Sequence, residues 1–402
     1  MATGAAVKLD FDPETEAFRE EVTAFFADAL TTELRAARSY MTSVYCDDAS
    51  SSAWQKILYR KGWLVPSWPE AYGGTNWSLT QRYVFACESA RAGPPPISPM
   101  GIGMLGPALL GCGTREQKDY YLPRMLRGDD FWCQGYSEPQ AGSDLARLAT
   151  RARVDGDDYI VTGTKIWTTH AHYANRMFCL VRTGEFQRPQ QGVTFLLMDM
   201  RAPGVSTRPI HFFSGDYEQC QVFFDEVRVP RRNAVGQENE GWAVTKYLLE
   251  FERGGGASAP GLLMALDKLR RRLAPAAGLP EAAGLARQAD DLDAAVRALE
   301  ALELRCLAET ERTGSPGPSA SMLKIRGTEI SQAISALGVE VAGYYGLPWQ
   351  QQAIDSHGGV GPVGSSADAV AAPFYFNNRA ATIYGGSNEI QRNIIAKRVL
   401  GL

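Results

Sequence analysis

The sequence predicts an α+β fold, mainly α, in which a central β domain separates two helical domains. Hydrophobic residues recur with helical spacing in the first and last thirds of the chain, and with a period of two between them. At 402 residues the chain exceeds the length at which one hydrophobic core stops growing. We therefore predict three domains: a helical domain over 1–131, a β domain over 132–236 and a helical bundle over 237–402.

The first domain is predicted from the pattern of its opening helix. Asp12-Pro13 is typical of a helix start, because Asp caps free N–H groups and Pro fits the first turn. Hydrophobic side chains then follow at i, i+4, i+7 and i+8, namely Phe18, Val22, Phe25 and Phe26. This spacing places them on one face of a helix that packs against a core.

The central domain is predicted to be an antiparallel β-barrel or sandwich. Apolar runs at 159–161, 177–181, 193–198 and 222–224 read as strands. The sequence 155–158 is a favourable hairpin turn, and further Gly-containing turns separate the later strands. Short turns between strands favour antiparallel pairing over βαβ units.

Helical spacing resumes after Gly241-Trp242. One predicted face has Leu292, Val296, Leu299 and Cys306, and another has Leu323, Ile330, Ile334, Leu337 and Val341. The last third is therefore predicted to be a bundle of helices.

Composition narrows the class of protein. A net charge of -4 argues against a nucleic-acid-binding surface, and no apolar stretch approaches the length of a membrane span. The basic cluster 270–272 is interpreted as a solvated helix end. Seven scattered cysteines without a Cys-x-x-Cys pair fit reduced thiols, and the N-terminus does not resemble an export signal, so we expect a cytoplasmic protein.

Two Gly-x-Gly-x-x-Gly segments, at 101–106 and 359–364, suggest a dinucleotide site at first sight. Neither follows a predicted strand, and Pro362 stands where a helix would have to begin, so we do not assign a Rossmann fold. The four histidines have no Cys, Asp or Glu at spacings that would complete a zinc site. We expect no metal, and we interpret His170 and His172, which alternate in a strand-like context, as hydrogen-bonded or solvent-facing histidines.

Four segments carry the functional prediction: 132–146, 163–169, 227–242 and 383–393. The first concentrates small and hydroxyl residues in a turn, which exposes backbone N–H groups. Together, in this order and spacing, the four resemble the signatures of the acyl-CoA dehydrogenase family over nearly the whole chain. The resemblance implies an N-terminal helical domain, a central β domain and a C-terminal four-helix bundle, with FAD held between the last two.

The implied reaction is FAD-dependent α,β-dehydrogenation of an acyl-CoA thioester. It requires a base for the α proton, opposite an acceptor for the β hydride. Many members of the family carry a Glu directly after the Tyr of the last signature, but this sequence has Gly385 there. Other members place the Glu on a bundle helix before an Arg, which matches Glu252-Arg253, so we predict Glu252 as the base and the Gly385 N–H as a donor to the thioester oxygen.

The resemblance also implies binding residues. Those expected to bind the cofactor are Gln134, Tyr136, Ser137, Gly142, Ser143, Trp167, Thr168, Thr169, Ser387 and Glu389. Those expected to contact the acyl-CoA substrate are Ser143, Glu250 and Arg253. The glycines at 254–256 would widen the acyl pocket for a branched or polycyclic group, or would only kink the helix.

Two departures from the family bear on assembly. The Arg-x-x-Phe-Gly segment that reaches a neighbour's flavin is replaced by residues 267–275, and the glycine-rich segment by residues 355–362. This pattern resembles the large subunits of pimeloyl-CoA and bacterial steroid side-chain dehydrogenases. It implies either an α2β2 heterotetramer with a related chain or a homotetramer in which Arg270 to Arg272 substitute for the missing Arg.

The expected electron acceptor is an electron-transfer flavoprotein. Two alternatives remain open at this stage. One is an oxygen-using acyl-CoA oxidase of the same fold, and the other is a non-catalytic subunit that completes a partner's active site.

Overall fold

The N-terminal helices begin at residues that can cap them. The Asp12 carboxylate accepts a hydrogen bond from the Thr15 N–H at 2.8 Å, and Pro13 occupies the first helical turn, as the sequence predicted. The computed structural model describes residues 12–252, 258–276, 279–313 and 317–402. The helices of the first domain are α1 (Pro13–Ala29), α2 (Thr32–Ser39), α3 (Asp48–Lys61), α4 (Leu79–Ala92), α5 (Gly106–Cys112) and α6 (Arg115–Arg127).

The predicted face of α1 lies in a core shared with the central domain. Val22 and Phe26 are buried, and Phe18 and Phe25 pack against them. The first glycine-rich segment lies on a π-helical turn, Met100–Leu105, and at the start of α5, where the glycines allow close packing. A Cβ on Gly106 would lie 2.1 Å from the Trp68 ring, so this glycine serves helix packing and not a dinucleotide.

The central domain is one eight-stranded sheet in the order β6-β7-β3-β2-β4-β5-β8, with β1 paired to β4. The strands are β1 (Trp132–Gly135), β2 (Arg151–Asp155), β3 (Asp158–Thr169), β4 (Arg176–Arg182), β5 (Val193–Asp199), β6 (Val205–Ile210), β7 (Gln219–Pro230) and β8 (Ala234–Val235). Most neighbours are antiparallel, and the predicted hairpin joins β2 to β3. Strands β1 and β4 pair in parallel, which was not predicted from the sequence. The long connection between the two strands lets both run in one direction.

Strand β4 shows why both sheet faces are apolar. Met177, Cys179 and Val181 lie in a core that also contains side chains of β3, β5 and β7, which is the interior of the curled sheet. Phe178 and Leu180 point the other way, into the core shared with the N-terminal helices and α7 (Gly241–Glu252). The alternation of side chains along a strand thus joins two domains through one sheet.

The C-terminal domain packs three long helices together: α8 (Ala259–Leu273), α9 (Pro280–Thr313) and α10 (Ser319–Ala342). The remaining helices are α11 (Gln351–Asp355), α12 (Ser366–Ala369), α13 (Ala371–Asn378) and α14 (Asn388–Arg398). The predicted faces of α9 and α10 supply this core through Val296, Leu299, Ile330 and Ile334. Along the described residues, no helix combines the length and apolar character needed to cross a membrane.

Candidate active site

The loop after β1 and the end of β3 form one structural unit. The Ile166 N–H donates to the Ser137 carbonyl at 2.9 Å, and the Lys165 ammonium donates to the Tyr136 carbonyl at 3.1 Å. Two of the four signature segments therefore lie side by side, although about thirty positions separate them in sequence.

A buried ion pair holds this unit together. Lys165 Nζ lies 2.7 Å from Glu138 Oε1, and both side chains are buried. Glu138 also accepts hydrogen bonds from the backbone N–H groups of Ala149 and Thr150, at 2.6 and 2.9 Å. Burial alone would raise the pKa of Glu138, but the Lys165 charge and these hydrogen bonds outweigh burial and hold the pKa below its usual value. No role for this pair was predicted from the sequence, although a Lys within an apolar strand was a signal for it.

Trp167 projects from a β-bulge. The β3–β7 register shifts between Lys165 and Thr168, and Trp167 has a φ of 58°. Its ring is 56% exposed, whereas Thr168 beside it is fully buried. A bulge re-aims side chains in this way, so the strand presents a flat aromatic surface outward at this point. Thr169 is fixed by hydrogen bonds with the Gln219 amide at 2.9 and 3.2 Å.

Several buried polar atoms in this region have no hydrogen-bond partner among the described residues. They are Trp132 Nε1, Gln134 Nε2 and Thr168 Oγ1. Leaving such a group unpaired costs about 1–3 kcal/mol, so each is a position where a polar ligand is expected. Gly142 and Ser143 lie in the neighbouring loop and are exposed.

The last signature segment forms a double-glycine turn before α14. Gly385 and Gly386 have φ values of 64° and 81°, a conformation that favours glycine. Ser387 caps α14 by accepting from the Ile390 N–H, and Glu389 lies exposed in the first turn of the helix. The turn rests on α10, from which Lys324 donates to the Ala381 carbonyl at 3.0 Å.

The predicted base lies at the end of α7. Glu252 is the last residue of that helix, while the side chains of 250–252, and Arg253 as a whole, lie outside the described residues. The helix itself is anchored, because Val244 and Leu248 are buried against the sheet. The roles predicted for Glu250, Glu252 and Arg253 therefore stay predictions.

The arginines at the end of α8 are engaged within the chain. Arg270 pairs with Asp290 at 2.7 Å and with Asp293 at 3.3 Å. Arg271 pairs with Asp267, and Arg272 pairs with Asp368. Each guanidinium has a carboxylate partner, and Arg271 at this helix end is exposed to solvent, as the sequence predicted.

The matches to known proteins cover each of the three regions. The family model "Acyl-CoA dehydrogenase, N-terminal domain" matches residues 12–129. The models for the middle and C-terminal domains of the same family match residues 133–227 and 239–400. These ranges cover most of β1 to β7 and the turn before α14, whereas β8 lies between the second and third ranges.

Similarity extends over whole chains. Acyl-CoA dehydrogenase IpdE1 of Mycobacterium tuberculosis is 35% identical over 402 residues, which is 97% of this chain and 98% of that protein. A chain of the ChsE4-ChsE5 complex from Mycobacterium tuberculosis superposes with a TM-score of 0.80 at 29% identity, covering 98% of this chain and 99% of that one. A chain of the Tcur3481-Tcur3483 steroid ACAD does so with a TM-score of 0.83 at 28% identity, with coverage of 98% and 99%.

Proposed function

Because this chain belongs to the acyl-CoA dehydrogenase family, oxidoreductases that act on the CH–CH bond of acyl-CoA, we propose that it converts an acyl-CoA thioester to the 2-enoyl-CoA. The observation that carries the proposal is the agreement of three family domains, in order, with the helical, β and helical regions of the fold. The four sequence signatures predict the same reaction.

We propose FAD as the cofactor, since members of this family are flavoproteins. The residues present fit such a group, because Gln134 Nε2 and Thr168 Oγ1 are buried without a hydrogen-bond partner among the described residues, and Trp167, next to Thr168, is exposed. The flavin would accept the hydride from the β carbon. The residues proposed to hold it are Gln134, Tyr136, Ser137, Gly142, Ser143, Trp167, Thr168, Thr169, Ser387 and Glu389.

Glu252 is the proposed base for the α proton. Its place at the end of an anchored helix, together with a glycine at 385, matches the family members in which the carboxylate comes from the bundle. The Gly385 N–H would donate to the thioester carbonyl and stabilise the negative charge that develops on its oxygen. Proton removal and carbonyl polarisation would thus come from two separate segments of the C-terminal domain.

The proposed substrate class is an acyl-CoA with a branched or polycyclic acyl group. One structural relative is described as a steroid ACAD, and the sequence has small residues directly after the proposed base, at 254–256, which lie outside the described residues. Ser143, Glu250 and Arg253 are the residues proposed to contact the CoA thioester. Spectral screening of a panel of linear, branched and steroid CoA thioesters tests this choice.

We propose assembly with a second, related chain as an α2β2 heterotetramer, with a homotetramer as the alternative. Two structural relatives are complexes of two named chains. Arg270, Arg271 and Arg272 each pair with a carboxylate of this chain, which favours the heterotetramer over a homotetramer in which they bind a neighbour's cofactor. The mass and flavin content of the chain purified alone separate the two assemblies, since a fully flavinated homotetramer would contradict the heteromer.

An electron-transfer flavoprotein is the proposed acceptor of electrons. An oxidase of the same fold would instead produce peroxide in air with substrate alone, and little peroxide is expected here. A non-catalytic subunit would stay free of flavin even with its partner and excess FAD.

The Glu252→Gln variant tests the reaction directly. It should retain bound flavin but lose bleaching of the oxidised flavin by substrate under anaerobic conditions, because the α proton is no longer removed. Glu281→Gln, an exposed change at the start of α9, is the matched control and should bleach normally. Bleaching of the Glu252→Gln variant at the native rate would exclude Glu252 as the base.

A further inference from the structure

The three domains meet at a cavity of about 560 Å³. The N-terminal domain lines it with residues between 37 and 48, the central domain with 170–173 and 215–218, and the C-terminal domain with residues between 351 and 357. This volume is typical of small-molecule sites.

The lining of the cavity is strongly acidic. It contains five carboxyl groups and neither Lys nor Arg: Asp47, Asp48, Asp216, Glu218 and Asp355, of which Glu218 is fully ionised only above neutral pH because burial raises its pKa to about 7. A cleft lined by charges of one sign concentrates ions of the opposite sign. The phosphates of CoA or FAD are therefore disfavoured here, and a cation is favoured.

Two buried side chains in this lining have an atom without a partner. Glu218 is 5% exposed and His170 is 4% exposed, and neither Glu218 Oε2 nor His170 Nδ1 has a hydrogen-bond partner within the described ranges. His170 is not the strand residue that the sequence suggested, because it lies in the turn after β3 with a φ of 59°. Buried polar atoms without partners indicate a ligand that supplies hydrogen bonds.

Aromatic rings complete the lining. Tyr40, Tyr45, Tyr173 and Tyr217 contribute, and His170 stacks on Tyr173 with ring centroids 4.8 Å apart. The pKa of Tyr173 is raised, first by burial and then by the charges of Asp48, Glu218, Asp216 and Asp47, so several carboxylates act on one phenol. Carboxylates beside aromatic faces are the surroundings in which organic cations bind.

A metal ion does not suit this arrangement. In the part of the chain that the structure describes, no three His, Cys, Asp or Glu side chains are grouped so that they could hold one. The carboxylates are instead spread around the cavity from the three domains.

We propose that this cavity binds a compact organic cation bearing a primary ammonium or guanidinium group. The cation would donate hydrogen bonds to Glu218 at the buried end and be attracted by the exposed carboxylates of Asp47, Asp48 and Asp355 at the rim. Such a cation could be a free small molecule or the basic side chain of a partner chain. The proposal does not rest on the dehydrogenation, although the cavity borders the proposed flavin-binding segment: His170 follows Thr169, and Glu218 precedes Gln219, the hydrogen-bond partner of Thr169.

Calorimetric titration of the purified full-length chain with agmatine tests the proposal, because agmatine carries both groups. We expect one saturable site per chain with a Kd below about 1 mM. At pH 8, above the pKa of Glu218, Glu218→Gln and Asp48→Asn should each weaken binding by about tenfold. Asp48 is exposed, so its variant remains informative if Glu218→Gln folds poorly.

Glu185→Gln is the control, since Glu185 is exposed and does not line the cavity, and it should bind agmatine like the native chain. Absence of saturable binding, or equal affinity in all variants, would overturn the proposal.

Repeating the titration on the assembled complex distinguishes the sources of the cation. Retained binding indicates a free ligand, whereas binding that is lost on assembly indicates a basic side chain of the partner.

Discussion

Lys324 on α10 and Asn388 at the start of α14 are joined by a buried hydrogen bond of 3.1 Å between Nζ and Oδ1. The same ammonium reaches the Ala381 carbonyl at 3.0 Å, and Lys324 is 7% exposed. Both acceptors flank the Gly385 turn, one on each side. The lysine therefore fixes the turn that carries the proposed donor to the thioester.

Lys324→Met should reduce kcat while folded chains keep their flavin. The change removes the lysine donor from the Ala381 carbonyl and leaves Asn388 Oδ1 only the Thr328 hydroxyl at 3.4 Å, so we expect a loss of about 1–3 kcal/mol of unfolding free energy. Substrate bleaching, flavin content and urea unfolding measure the three quantities. Lys397→Met, an exposed change on α14, should alter none of them. An unchanged kcat in folded Lys324→Met would contradict a positioning role.

Gly385→Ala should slow flavin bleaching by substrate. A φ of 64° disfavours any side chain by about 1–2 kcal/mol, so the turn and its N–H should shift. Gly62→Ala is the matched control, because Gly62 has a φ of 76° at the end of α3, with open space around its Cβ. It should lose similar stability without any change in bleaching. Equal bleaching rates in both variants would show that Gly385 has no role in the reaction.

Removing one member of the Lys165–Glu138 pair should destabilise the chain strongly. A single change, Lys165→Met, leaves a buried charge unpaired and should cost about 3–5 kcal/mol. The double variant with Glu138→Gln should recover part of this loss. Asp119→Asn, which breaks the exposed pair with Arg115, should cost less than about 1 kcal/mol. Urea unfolding at neutral pH measures each value.

The same pair predicts a loss of stability in acid. The pKa of Glu138 is lower in the folded chain than in the unfolded chain, so its contribution is present above the unfolded pKa and is lost as pH falls through the folded value. The stability difference between native and Glu138→Gln chains should therefore shrink as pH falls below about 4. A difference that stays constant with pH would contradict this reading.

Ionisation of Glu218 should make the stability of the folded chain depend on pH in the opposite direction. Burial, and then the charge of Asp216, raise the pKa of Glu218 to about 7. Ionising Glu218 therefore costs more free energy in the folded chain than in the unfolded chain. Between the unfolded pKa and 7 the folded chain binds the extra proton, and stability should fall as pH rises. Relative to the native chain, Glu218→Gln should therefore gain up to about 3 kcal/mol between pH 5 and pH 8. Unfolding series for this variant and for Glu185→Gln measure the gain.

Local patterns in the sequence were sufficient for the order and type of the elements. Asp12-Pro13 starts α1, and the 3.6-residue and two-residue periods separated helices from strands because each period reflects one buried face. The four signatures identified the family, which the matches over all three regions confirm.

Long-range relationships were not predictable in the same way. The bulge that exposes Trp167, the parallel β1–β4 pair and the burial of His170 depend on which strands become neighbours. The Lys324 and Lys165 contacts join positions 64 and 27 residues from their partners, and no local spacing encodes such pairs.

The sequence by itself determined the family, the three-part architecture and the candidate residues for the reaction, because these depend on motifs and on local periodicity. Only the tertiary structure decided which charges pair and where charge stays uncompensated. It paired Arg270 to Arg272 with carboxylates, and it brought five other carboxylates from three domains around one cavity. The electrostatics of a site depend on distances through space, which are fixed only when the domains pack together.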